Sequence, residues 1–313
     1  MDTTKLIGAV AQTSTVLLDT PATVQRALDL MRDAAASGAQ LLVFPEAFIG
    51  GYPKGADFHI YLGGRTPQGR AEFKLYHDAA VSVDGPEIAA LAKQAGAQRM
   101  HVVVGIIERD GGTLYCTAVY LGPQGQILGK HRKLMPTALE RLVWGFGDGS
   151  TLSAVDTPWG KLGAVICWEN YMPMLRMAMY QQQVALYCAP TADDRPSWQS
   201  TMQHIALEGR CFVLSACQHL RRQQFPAEQM NNRLSDAPDA VLMRGGSVII
   251  DPLGKVLAGP VYDEDALLTA ELDLSLVPMG KMDFDVVGHY ARPDVFALQV
   301  DTAARHAVKL AGG

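Results

Sequence analysis

The sequence predicts an α/β fold built on a mixed sheet, and three observations carry that reading. Apolar runs rich in β-branched residues recur along the chain, and helical segments lie between them. Tight turns at Gly111-Gly112 and at Pro123-Gln124-Gly125 join neighbouring runs, which makes those neighbours antiparallel. A purely parallel sheet is thereby excluded.

In chain order, residues 6–11 form the first strand and 21–36 a helix opened by Pro21. Proline suits an early helical position because the N–H it lacks would have no intrahelical acceptor there. Residues 41–44 form a strand that Pro45 ends, and Pro86 opens a helix over 86–95. Strands at 102–107 and 114–121 flank the Gly-Gly turn. A strand at 162–166, a helix at 173–182 opened by Pro173, a strand at 184–189 and a helix at 198–209 come next. Residues 212–216 and 246–250 are the last strands. Between these two, 221–244 loses periodicity and gains Asn, Asp, Pro and Gln, as a long surface excursion over a site or interface does.

With 313 residues, 48% hydrophobic and 19% charged, the chain can bury a large core, and no shift in composition marks a domain boundary. A net charge of −5 without a basic stripe argues against nucleic acid as a partner. The first residues carry no charged region followed by an apolar signal segment, and no apolar run approaches the roughly 20 residues that span a bilayer. A cytoplasmic protein is expected. The five cysteines, Cys116, Cys167, Cys188, Cys211 and Cys217, are odd in number and scattered, unlike a disulfide framework or a zinc site. Four read as small core hydrophobes.

Three segments end in polar residues that do not fit the runs they terminate. Leu41-Leu42-Val43-Phe44-Pro45-Glu46 closes a strand on a carboxylate, where a rigid scaffold meets an open loop. The segment alone leaves Glu46 equally readable as a solvated loop residue. Lys130-His131-Arg132-Lys133 is a cationic run, usually a solvated face. In an extended chain, however, His131 and Lys133 share one face and Lys130 and Arg132 the other, so one lysine can point inward. Ala164-Val165-Ile166-Cys167 closes a strand on a thiol just before a helix. A thiol at such a turn can be exposed next to backbone N–H donors, or it can be packed core; the segment leaves both open.

Together these segments resemble the signature of the nitrilase superfamily of carbon–nitrogen hydrolases. The resemblance rests on Phe44-Pro45-Glu46, Arg132-Lys133-Leu134 and Cys167-Trp168-Glu169, in the family's order and at suitable separation. Longer stretches are similar to the nitrilase branch, plant nitrilases and their bacterial relatives in particular. These include His131-Arg132-Lys133-Leu134-Met135-Pro136-Thr137, Trp144-Gly145-Phe146-Gly147-Asp148 and Tyr187-Cys188-Ala189-Pro190-Thr191-Ala192-Asp193, with Gly288-His289-Tyr290-Ala291-Arg292-Pro293 near the end. Two features depart from that pattern. Arg210 stands where those relatives usually carry a small residue, and the chain ends soon after Leu310, which leaves oligomer size open.

The resemblance implies a four-layer α-β-β-α sandwich over 1–313, with 275–313 as a C-terminal extension at a dimer interface, and a homodimer or larger homo-oligomer that can extend into a spiral. It implies hydrolysis of an organic nitrile by water to the acid and ammonia, with no metal or organic cofactor. Cys167 is the expected nucleophile, Glu46 the base, Lys133 the cation that favours the thiolate and the intermediate's charge, and Glu140 a fourth member that orients Lys133 or water. Glu140 is also readable as a salt-bridge partner of Arg141. Tyr52, Trp168, Tyr171, Thr191 and Ala192 are the expected substrate contacts, and Trp198 is readable as pocket or core. Glu169 and Asn170 are readable as loop braces. An amidase or amide-forming activity of the same site is the alternative, and a non-catalytic assembly protein a third.

Overall fold

The computed structural model describes residues 4–308. Thirteen strands among them are β1 (Lys5–Gln12), β2 (Leu41–Val43), β3 (His101–Asp110), β4 (Thr113–Leu121), β5 (Ile127–Arg132), β6 (Val155–Thr157), β7 (Gly160–Ala164), β8 (Val184–Thr191), β9 (Phe212–Cys217), β10 (His219–Arg221), β11 (Val241–Ile250), β12 (Val256–Tyr262) and β13 (Ala266–Asp273). The α-helices are α1 (Thr20–Ala36), α2 (Pro67–Ala79), α3 (Pro86–Gln98), α4 (Pro173–Gln181), α5 (Pro196–Gly209) and α6 (Leu276–Asp283).

The strands form two mixed sheets. The first runs β13-β1-β2-β3-β4-β5, and the second β10-β11-β9-β8-β7-β6 with β12 also on β11. Parallel pairing holds β1, β2 and β3 together, whereas β3-β4 and β4-β5 are antiparallel hairpins, as the two turns require. Alternation along each strand sorts its side chains between layers. In β1, Leu6 and Val10 enter the core between the sheets, while Ala9 and Ala11 face the opposite way with Ala27 and Met31 of α1 and Leu91 of α3. In the second sheet Leu186 and Leu214 join the same central core, and Tyr187 and Val213 pack with Met179 of α4 and Ile205 of α5. The result is the four-layer α-β-β-α sandwich. Tyr120 of β4 links its halves, its hydroxyl accepting the Ala164 N–H at 2.9 Å.

Several boundaries differ from expectation. Helix α1 starts one residue before Pro21, capped by Asp19, whose carboxylate accepts the Ala22 N–H at 2.9 Å. Helix α5 opens at Pro196, ahead of Trp198. Strand β7 stops at Ala164, two residues short, and β11 begins at Val241, inside the stretch expected to be irregular. The remainder of that excursion runs as a surface loop after β10 and a short 3₁₀ turn (Arg222–Gln224). Strands β12 and β13 and helix α2 come without a sequence expectation. The chain end beyond Val308, on which the expectation about oligomer size rests, lies outside the described residues.

Candidate active site

Glu46 sits in a turn after β2 that the sheet holds closely. The Phe44 N–H donates to the Val103 carbonyl at 2.8 Å, and Gln218 Nε2 donates to the Glu46 carbonyl at 3.1 Å. Gly105 of β3 makes the approach possible. A Cβ there would lie 2.1 Å from the Pro45 carbonyl oxygen and 2.8 Å from the Glu46 Cα.

Lys133 follows β5 and is fixed through its backbone, its N–H donating to the Cys116 carbonyl and its own carbonyl accepting from Gly147, both at 2.8 Å. The alternation expected of the cationic run is present. Lys133 and His131 are buried on one face; on the other, Lys130 and Arg132 do not simply meet solvent but converge on the buried Glu108 at 2.6 Å.

Cys167 opens a 3₁₀ turn (Cys167–Tyr171) with φ +53°, left-handed backbone that a residue with a Cβ adopts only where its surroundings enforce it. Glu169 and Asn170 do the enforcing, in the bracing role open to them from the sequence. Glu169 Oε2 accepts the Ile166 N–H at 2.9 Å and Oε1 the Leu134 N–H at 2.5 Å, and His131 Nε2 lies 3.1 Å from Oε2. This carboxylate therefore ties the Cys167 turn to the Lys133 segment across the two sheets. Asn170 Nδ2 donates to the carbonyls of Val165 and Cys167, and its Oδ1 accepts the Tyr187 hydroxyl.

The fold brings the polar ends of these segments together. Lys133 Nζ lies 2.6 Å from Glu46 Oε1 and 2.8 Å from Glu140 Oε2, with Lys133 and Glu46 wholly buried. Glu140 stands in a 3₁₀ turn (Ala138–Leu142) as the acid of a capping box, accepting the Thr137 N–H at 2.6 Å and the Tyr52 hydroxyl at 2.7 Å. Arg141 bonds the Pro136 carbonyl instead of Glu140. One ammonium thus faces two carboxylates. Burial raises the Glu46 pKa and Glu140 adds to the rise, against the pull of Lys133 and the Cys167 thiol. Burial disfavours the Lys133 ammonium, yet its anionic neighbours hold its pKa well above the ordinary lysine value. Burial and Glu46 push the Cys167 thiol well up, and Lys133 and the Thr191 hydroxyl only partly oppose them. Lys133 therefore acts in the expected direction without making a resting thiolate.

Cys167, 4% exposed, reaches a cleft of about 180 Å³ lined by Tyr52, Lys54, Thr137, Glu140, Trp168 and Ala192 with Asp193, Asp194 and Arg195 at its rim. Of the expected substrate contacts, Tyr52, Trp168 and Ala192 line it. Thr191 is fully buried against Cys167, and Tyr171 stands edge-on to Trp168 and Trp198. Trp198 is core, its indole N–H bonded to the Ser215 hydroxyl. The rim residues carry no sequence expectation. Asp193 accepts the Trp168 indole N–H at 2.9 Å while pairing with Arg195, whose guanidinium lies 4.9 Å from the Trp168 ring centroid. The Thr137-x-x-Glu140 spacing of a capping box is the one signal that announces Thr137.

A family model described as carbon–nitrogen hydrolase matches residues 8–279. The chain is 62% identical to an aliphatic nitrilase of Sinorhizobium fredii, over 97% of this chain and 98% of that one. It is 57% identical to a bifunctional nitrilase/nitrile hydratase of Lupinus angustifolius, over 94% and 85% respectively. Among solved structures, Saccharomyces cerevisiae Nit3, described as a member of branch 10 of the nitrilase superfamily, superposes with a TM-score of 0.70 at 21% identity, covering 92% of this chain and 97% of that one. At that identity the likeness speaks for the fold alone.

Proposed function

We propose, from the premise that the chain belongs to the carbon–nitrogen hydrolase family, that it is a nitrilase working through Cys167, Glu46, Lys133 and Glu140. The observation that supports these roles most directly is the buried Lys133 held between two carboxylates beside a thiol at the floor of a cleft.

A nitrile carbon is a weak electrophile, so a soft nucleophile is needed, and a protonated thiol needs a base at the moment of attack. Glu46 takes the Cys167 proton as sulfur bonds to the nitrile carbon and passes it to the nitrile nitrogen, which gives a thioimidate and leaves Glu46 ionised again. Water adds to the same carbon, losing its proton to Glu46. Lys133 Nζ and the Trp168 N–H, a first-turn donor without an intrahelical acceptor, meet the charge of the tetrahedral intermediate. Glu46 gives that proton to the departing nitrogen, and loss of ammonia leaves a thioester, which a second water hydrolyses to the acid and the free thiol. Loss of the thiol instead gives the amide, the second reading, which the bifunctional plant relative favours. Glu140, bonded to both Lys133 and Tyr52, keeps the ammonium pointed at the reacting carbon.

The whole chain forms one hydrolase unit in this reading. Residues 275–308 pair with a second copy, which the exposed Tyr290, Val295 and Phe296 support. No helix among the described residues is long and apolar enough to cross a membrane. The test is incubation with aliphatic, aryl-substituted and cyano-amino-acid nitriles and their amides, with ammonia, acid and amide quantified. Acid and ammonia from at least one nitrile class are expected. Turnover of amides with none of any nitrile overturns the reading.

A further inference from the structure

A second thiol touches the proposed base. Cys116 Sγ lies 3.5 Å from Glu46 Oε1, the oxygen that also accepts from Lys133 Nζ at 2.6 Å, while the buried Oε2 has no hydrogen-bond partner among the described residues. The same residue's carbonyl accepts the Lys133 N–H, so Cys116 braces one reacting partner through its backbone and meets the other through its side chain. It is buried in the middle of β4, paired with Ile107 of β3, and takes no part in lining the cleft that Cys167 reaches.

We propose that Cys116 is a positioning residue for Glu46: its S–H, donated to Oε1 beside the ammonium, keeps that oxygen occupied and leaves Oε2 as the oxygen that takes the Cys167 proton. The proposal rests on Glu46 being the base. Burial and Glu46 hold the Cys116 thiol well above its ordinary pKa, so it remains a donor throughout the working range. A donor to a carboxylate stabilises the charged form and lowers its pKa. Removing that donor therefore raises the pKa of Glu46, and the acid limb of the activity profile moves to higher pH. The other titratable groups around Glu46 are Lys133, Glu140, Cys167, Tyr52 and Tyr76, which substitution at 116 leaves in place.

Valine and threonine have nearly the same shape and differ in the donor, so Cys116→Val and Cys116→Thr separate hydrogen bonding from packing. The acid limb of kcat/KM against pH is expected to move up by roughly half a unit in Cys116→Val, with kcat down several-fold and KM little changed, and to return toward the parent in Cys116→Thr. If the β-branched pair does not fold, Cys116→Ala and Cys116→Ser make the same comparison. A limb that stays in place in the donor-free variant, or moves equally in both members of a pair, overturns the proposal. Activity retained in Glu46→Gln with the acid limb still in place instead overturns the assignment of Glu46 as base.

Discussion

The two faces of the segment at the end of β5 hold opposite kinds of charge cluster. On one face the buried Glu108 serves two cations, Lys130 and Arg132, the latter also reaching the exposed Asp110; on the other a single cation, Lys133, serves two carboxylates, Glu46 and Glu140. Burial works against the Glu108 carboxylate, but Arg132 and Lys130 outweigh it and hold its pKa below the usual range, and Thr117 adds a hydrogen bond at 2.8 Å. Glu46 is pushed the other way and keeps one oxygen unpaired. A saturated cluster holds strands together, whereas one short of a cation and short of a donor is poised to accept a proton. The contrast lies in how many partners each carboxylate has, since both are buried.

The most severe way to break the comparison is to remove what the second cluster acts on. Cys167→Ala is expected to lower kcat/KM by about ten-thousand-fold or more while circular dichroism stays native, because the nucleophile has no substitute. A covalent substrate adduct found by mass spectrometry on any other cysteine would refute the assignment. Lys133→Met comes next. The buried Glu46 and the partly buried Glu140 then face each other without a cation, which is expected to cost about 3 kcal/mol in chemical denaturation. The same substitution should lower kcat by about a hundred-fold or more. Unchanged stability would mean that Glu46 and Glu140 share a proton and do not need the ammonium.

The smallest effect sharpens the comparison through pH. Glu108, with a folded pKa below the ordinary 4.5, contributes stability above that value and loses it as pH falls through the folded pKa. Glu46, with a folded pKa above 4.5, contributes stability below that value and loses it as pH rises through the folded pKa. At pH 7 Glu108→Gln is therefore expected to cost about 1–3 kcal/mol, whereas Glu46→Gln, which leaves Lys133 paired with Glu140, costs less or raises Tm. Thermal unfolding from pH 4 to 8 checks this, and equal losses at pH 7 would dissolve the distinction between the clusters.

Much of this was legible in the sequence where side-chain periodicity reports burial. The runs at 102–107, 114–121 and 184–189 are nearly continuous apolar strands, and both hairpin turns carry glycine. Helix α2 was not legible because its sequence, PQGRAEFKLYHDA, has too thin an apolar stripe to stand out; Tyr76 enters the central core and Phe73 packs against it. Strand β5, ILGKHR, carries charges satisfied from neighbouring strands, so locally it reads as a cationic run. Strand β13 is half-exposed and finds its partner, β1, across most of the chain. In the site, Glu46, Lys133 and Cys167 came from short motifs matched to a family. What no local pattern gave was the partner count: that Glu140 bonds Tyr52, that Cys116 meets Glu46, or that Asp193 and Arg195 frame Trp168. Those contacts join residues far apart in the chain or depend on a loop's path.

Glu46 and Lys133 hang from one sheet and Cys167 from the other, with Glu169 bridging the gap between their segments. The site is in effect a calliper closed on the central core. A loosening of the layers by an ångström, too slight to disturb a single strand, opens the jaws, so catalysis should fail well before the secondary structure does.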